Sequence, residues 1–190
     1  MSVAFDSGLT AAVRIGACQP PEILGDVDAA VRCIQGFCGQ AKRVGADLLL
    51  FPECFLQGYL VTEAHRKTHL TPGETLFCPG NEYPVFDVRG LRCGINICTT
   101  PSSPTRRLLV PAQNMMKRQA AETWKGKHSQ IRATRARETG MWLISADVTG
   151  ERGDTHIGYG PTSVMAPSGK VITQVPLMEI GMVTAAIPAP

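Results

Sequence analysis

The sequence predicts an α/β fold, and three observations carry that expectation. Short apolar runs bounded by proline or glycine recur along the chain, a helix-period segment separates two of them, and the last third holds a hairpin signature. Val13 to Cys18 (VRIGAC), stopped by Gln19-Pro20-Pro21, reads as a first strand. From Asp26 the period changes, with Ala30, Val31, Ile34, Cys38 and Ala41 recurring at three- and four-residue steps. Asp26 is placed to cap the helix and Gly45 to stop it. Ala46 to Pro52 (ADLLLFP) is a continuous apolar run, expected to be a strand buried on both faces.

Val85 to Val88 and Cys93 to Cys98 (CGINIC) read as strands flanking a turn at Arg89-Gly90-Leu91-Arg92, and Leu108 to Pro111 as another buried strand. One helix is expected from about Ala120 to Glu138, with Trp124, His128, Ile131 and Arg135 on one side and Gly140 as its stop. Met141 to Ala146 follows as a strand, and Gly150 to Gly160 reads as a glycine-rich loop. Thr162 to Ala166 and Val171 to Val175 form a hairpin around Pro167-Ser168-Gly169-Lys170, and Met182 to Ile187 closes the sheet.

At 190 residues, one domain is expected, with 1–12 as a tail and 13–190 as the domain. A formal charge of +3 is too small for a chain whose main partner is a nucleic acid, and no apolar run is long enough for a membrane helix. The N-terminus lacks a basic cluster followed by an apolar segment, and seven cysteines without a CxxC pair read as free thiols, so a reducing, cytoplasmic setting is expected.

Three reactive side chains stand at or just beyond predicted strands: Glu53 after LLLFP, Lys67 in HRKTHL, and Cys98 closing GINIC. A carboxylate can act as general base, an ammonium can stabilise developing negative charge, and a thiolate is the strongest side-chain nucleophile near neutral pH. Together they suit acyl transfer. The plainer readings are an inert core cysteine, a surface carboxylate and a solvated lysine. His65 and His69 stand one helical turn apart but lack a third ligand, so no metal site is expected. Lys125, Lys127, Arg132, Arg135 and Arg137 read as a solvated basic helix face, with a weak nucleic-acid contact as the sharper alternative.

Leu50-Phe51-Pro52-Glu53 with Gly58-Tyr59, then Arg66-Lys67-Thr68-His69-Leu70 with Glu74, Phe77 and Gly80, then Gly94-Ile95-Asn96-Ile97-Cys98, resemble the motifs of the nitrilase superfamily of carbon–nitrogen hydrolases. Arg135 to Gly140, Gly158 to Ser163 and Ala166 to Lys170 resemble that family's downstream helix, glycine loop and hairpin, so the likeness runs from about Val13 to Ile187. The resemblance implies a shortened α-β-β-α sandwich carrying a Glu–Lys–Cys triad. Glu53 would be the general base, Lys67 the stabiliser of the tetrahedral intermediate, Cys98 the nucleophile that forms a thioester, and the Thr99 amide a second oxyanion donor. It implies a small-molecule amide or nitrile substrate and no cofactor.

Set against the pattern of the family it resembles, the chain is expected to lack two internal segments. Only 13 residues separate Glu53 from Lys67, and the nine residues Thr99 to Arg107, with Pro101 and Pro104, leave no room for the helix that usually follows the cysteine. The alternative function is therefore a catalytically impaired, nitrilase-like binding or oligomerising module. Sheet bared by the missing helices also makes a homo-oligomer the expected state.

Overall fold

The computed structural model describes residues 12–56, 66–67, 78–79, 85–95, 108–110, 112–113 and 115–189. β1 (Ala12–Gln19) leads to α1 (Val27–Val44) and β2 (Leu48–Leu50). β3 (Arg66–Lys67), β4 (Cys78–Pro79), β5 (Val85–Val88), β6 (Leu91–Ile95), β7 (Leu108–Val110), β8 (Ala112–Gln113) and β9 (Met116–Lys117) follow. Next come α2 (Arg118–Trp124), α3 (Lys127–Thr139), β10 (Trp142–Asp147), β11 (Thr149–Arg152) and β12 (His156–Tyr159). β13 (Ser163–Met165), β14 (Val171–Gln174) and β15 (Gly181–Pro188) complete the described elements.

Two sheets pack face to face. One has the order β15-β1-β2, and the other runs β14-β13-β10-β7-β6-β5 with β8 also paired to β10. Strand alternation explains the shared core. Val13, Ile15, Ala17, Leu50, Ala185 and Ile187 from the first sheet meet Leu91, Cys93, Ile144, Ala146 and Val164 from the second, all buried. The opposite faces carry the helices. Leu143 and Met165 turn outward to pack with Ala136 of α3 and Met141, while α1 buries Ala30, Phe37 and Ala41. Asp26 caps α1 by accepting a 2.8 Å hydrogen bond from the Ala29 N–H, and Gly45 ends it at a left-handed φ of 67°, so both helix boundaries were written in the sequence.

Four expectations need correction. β2 spans Leu48–Leu50, pairs among the described residues only with β1, and leaves Leu48 and Leu49 partly exposed, so the apolar run Ala46 to Pro52 is not a strand buried on both faces. β6 begins at Leu91, because Arg89 and Gly90 alone make the turn, and its last described residue is Ile95. The single expected helix is two, broken where Gly126 takes a left-handed φ of 78°. The segment expected as a glycine-rich loop is the β11–β12 hairpin, in which Gly150 lies opposite Gly158; backbone pairing overrode the composition. The first strand starts at Ala12, and the rest of the expected tail lies outside the described residues.

Candidate active site

The parallel strands send their carboxyl ends to one rim of the sandwich. β1 and β2 run parallel, as do β6, β7 and β10. The two sets are tied where they end by a parallel bridge between Pro21 and Thr149, with Glu22 N–H donating to the Thr149 carbonyl (3.2 Å) and Thr149 N–H to the Pro20 carbonyl (3.0 Å). The described ends of β2 and β6 therefore lie at the same rim, where α/β folds collect functional side chains.

Glu53 sits at that rim, half-buried, three residues beyond β2. Its turn is closed by a 3.3 Å hydrogen bond from Phe55 N–H to the Pro52 carbonyl. Cys54 holds a left-handed φ of 56°, which a non-glycine residue keeps only where its surroundings fix it. Phe55 supplies that constraint. Its ring is buried against Ala30 and Val148 and stacks on Phe51 with centroids 5.9 Å apart, while Phe51 meets Phe37 edge-on at 6.0 Å.

Lys67 belongs to β3, in register with Pro79 of β4, but its side chain lies outside the described residues. Cys98 and Thr99 lie outside them as well, as do His65 and His69. The strands leading to Glu53 and toward Cys98, β2 and β6, are not neighbours in one sheet. They belong to facing sheets, and Leu50 and Cys93 are both buried in the core those sheets share.

Sequence reasoning missed a buried polar network at the same rim. Arg132, read as part of a solvated basic face, is buried. Its Nη2 lies 2.9 Å from Asp147 Oδ1, with side chains only 7% and 1% exposed, and its Nη1 donates to the Pro161 carbonyl at 2.8 Å. Removing one partner of such a pair costs about 3–5 kcal/mol, because the other charge stays buried. Asp147 N–H donates to Thr162 Oγ1 (2.9 Å). Gln19 is fully buried; its Oε1 accepts from Thr162 N–H (2.6 Å) and its Nε2 donates to the Pro176 and Glu179 carbonyls (2.9 and 2.8 Å). The available signal was the spacing of Arg132 and Ala136, one turn apart on the side of α3 that also carries Ala133.

Residues 60–190 match the family model of the carbon-nitrogen hydrolases. The chain belongs to the carbon-nitrogen hydrolase family. No curated protein matches the sequence. Among solved structures, a cysteine-to-alanine mutant of the Nesterenkonia AN1 amidase from the nitrilase superfamily aligns at 17% identity with a TM-score of 0.79, over 94% of this chain and 92% of that one. A cysteine-to-serine mutant of the same amidase aligns at 18% identity with a TM-score of 0.77, over 96% and 94%. A glutamate-to-glutamine mutant of the amidase from Nesterenkonia sp. AN1, showing covalent addition of the acetamide moiety of fluoroacetamide at its active-site cysteine, aligns at 17% identity with a TM-score of 0.78, over 95% and 92%. At these identities the likeness establishes the nitrilase-superfamily fold.

In this carbon-nitrogen hydrolase chain the family match contains Lys67, Cys98 and Thr99, while Glu53 precedes it. Both stretches expected to be shortened relative to the family fall largely outside the described residues. A separate cleft of about 130 Å³ opens between the α2–α3 junction and β12, lined among others by Met116, Lys125, His128, Tyr159 and Gln174, but not by Glu53. Above it Lys125 stacks over the Tyr159 ring at 4.3 Å, and the Tyr159 hydroxyl donates to Glu122. Among the described residues no cluster of His, Cys, Asp and Glu is arranged to hold a metal, and no helix is long and apolar enough to cross a membrane.

Proposed function

We propose that this chain hydrolyses a small amide through a thioester on Cys98. Glu53 takes the thiol proton as the sulfur attacks the amide carbonyl, and Lys67 and the Thr99 N–H stabilise the oxyanion. The C–N bond then breaks, Glu53 returns the proton to the leaving amine, and the acyl group stays on sulfur. Water, deprotonated by Glu53, attacks the thioester and releases the carboxylic acid and the free thiol.

The observation that carries this reading is the position of Glu53. Glu53 is half-buried in a turn that the buried Phe55 anchors, at the rim toward which β6, the strand preceding Cys98, also points. An amide is preferred to a nitrile because the structural neighbours are amidases, one of them in complex with butyramide.

Ammonia release from acetamide, butyramide and acrylamide tests the reading. The wild type should release ammonia, and Cys98→Ser and Glu53→Gln should each lower kcat by at least about a thousandfold, as loss of a nucleophile or its base does in related covalent mechanisms. Full activity in Cys98→Ser would overturn the mechanism. A wild type as inactive as both variants would favour the impaired, binding-module reading, which the 13-residue Glu53–Lys67 link supports.

A further inference from the structure

Asp147 and Val148 are consecutive, and their side chains serve opposite sides of the fold. Asp147 reaches outward to the Arg132 guanidinium of α3. Val148 is buried with Ala30 and Phe55, the residue two positions after Glu53. The same short stretch of backbone thus carries an ion pair on one side and the support of the candidate base on the other. Arg132 also holds the Pro161 carbonyl, and Thr162 beside it closes on both Asp147 N–H and Gln19 Oε1, so the guanidinium joins α3, the end of β10 and the 160–162 segment. The planar fork makes these two contacts in fixed relative directions, which a lysine ammonium cannot reproduce.

We propose that Arg132 and Asp147 are positioning residues for the hydrolase, acting on Glu53 through Val148 and Phe55; this rests on the reading of Glu53 as general base. A polar pair held to one geometry fixes where β10 ends. An apolar pair of similar volume would refill the space but would fix neither the Pro161 carbonyl nor the direction of Asp147. Because a displacement of about 1 Å at a catalytic group can cost about a hundredfold in rate, the effect should fall on kcat rather than KM.

The test compares wild type, Arg132→Lys, Arg132→Met and the Arg132→Met/Asp147→Leu double variant in ammonia release from butyramide, in thermal melting, and in hydrogen exchange of residues 51–56. Arg132→Met leaves a buried carboxylate alone and is expected to melt lowest; the double variant should regain most of the melting temperature. Its kcat should nevertheless remain about 10- to 100-fold down, with KM within about threefold of wild type and faster exchange at 51–56 than wild type. Arg132→Lys, which keeps the charge, should fall between wild type and the double variant.

A double variant that recovers kcat and wild-type exchange together with its melting temperature would overturn the proposal, leaving the pair a purely structural role. If the wild type releases no ammonia, the hydrolase reading fails separately, and the exchange arm decides: unchanged protection at 51–56 in folded double variant overturns the positioning of the Glu53 turn, and lost protection upholds it. Should the double variant not fold, Arg132→Lys decides by the same two readouts, overturning the proposal if it shows neither a kcat loss nor faster exchange.

Discussion

The Gln19 side-chain carbonyl accepts a 2.6 Å hydrogen bond from the Thr162 backbone N–H, joining two residues on the facing sheets' shared rim that are separated by 143 positions in sequence. The same side chain donates to the Pro176 and Glu179 carbonyls, so its buried amide is satisfied on both ends. A buried amide of this kind adds little net stability when paired and costs heavily when a partner is lost.

Gly160 makes that arrangement possible. Its φ is 79°, and a Cβ there would overlap the Gln19 amide. Gly160→Ala combines a left-handed penalty with a displaced Gln19, so chemical denaturation should show a loss of about 2–4 kcal/mol. Gly126→Ala shares the positive φ, 78°, but meets open space, and should lose about 1 kcal/mol.

Stability should fall on both sides of a neutral plateau. Burial, and then the Arg132 charge, hold the His128 imidazole below its ordinary 6.5. Below that pH the unfolded chain binds the proton more readily, so stability drops as pH falls. On the alkaline side, burial pushes the Cys18 thiol up to about 12, with Cys38 and Cys33 adding to the shift, and burial followed by Asp87 pushes Cys93 up to about 11. Above pH 9 the unfolded chain loses protons the folded chain keeps, so stability falls again. His128→Gln should flatten the slope between about pH 7.5 and 5.5, and Cys18→Ala the alkaline slope, in denaturation series against pH.

Self-association is expected through the outward side of α2 and α3, where Trp124 and Ile131 are 40% and 45% exposed. Light scattering should show a dimer or larger assembly, and Ile131→Glu should shift it toward monomer. A wild type that is monomeric at working concentration would contradict this.

Much of the fold was legible because local signals and tertiary packing agreed. Asp26 and Gly45 bound α1 as their chemistry requires, and the alternation in Trp142–Asp147 separates Ile144 and Ala146 in the core from Leu143 and Asp147 on the helix side. What failed was context set by distant partners. The glycines of 150–160 signal a loop until β12 is seen pairing with β9 as well as β11. Arg132 reads as solvent-facing until Asp147 and the Pro161 carbonyl lie beneath it. That Glu53 follows the end of a strand was legible from the apolar run before it, whereas the network of Gln19, Thr162 and Asp147 is assembled from segments no local pattern connects.

The most direct test of the central claim is peptide mapping after brief exposure of the native protein to substoichiometric iodoacetamide, whose carbon–iodine bond alkylates the most reactive thiolate first and irreversibly. Cys98 and Cys93 share one tryptic peptide and are resolved by fragmentation. The account predicts the acetamide adduct on Cys98 first, with the buried Cys18 and Cys93 unmodified and exposed Cys38 modified far more slowly. Adducts spread over Cys33, Cys38 and Cys54 with Cys98 no faster than they are would contradict it.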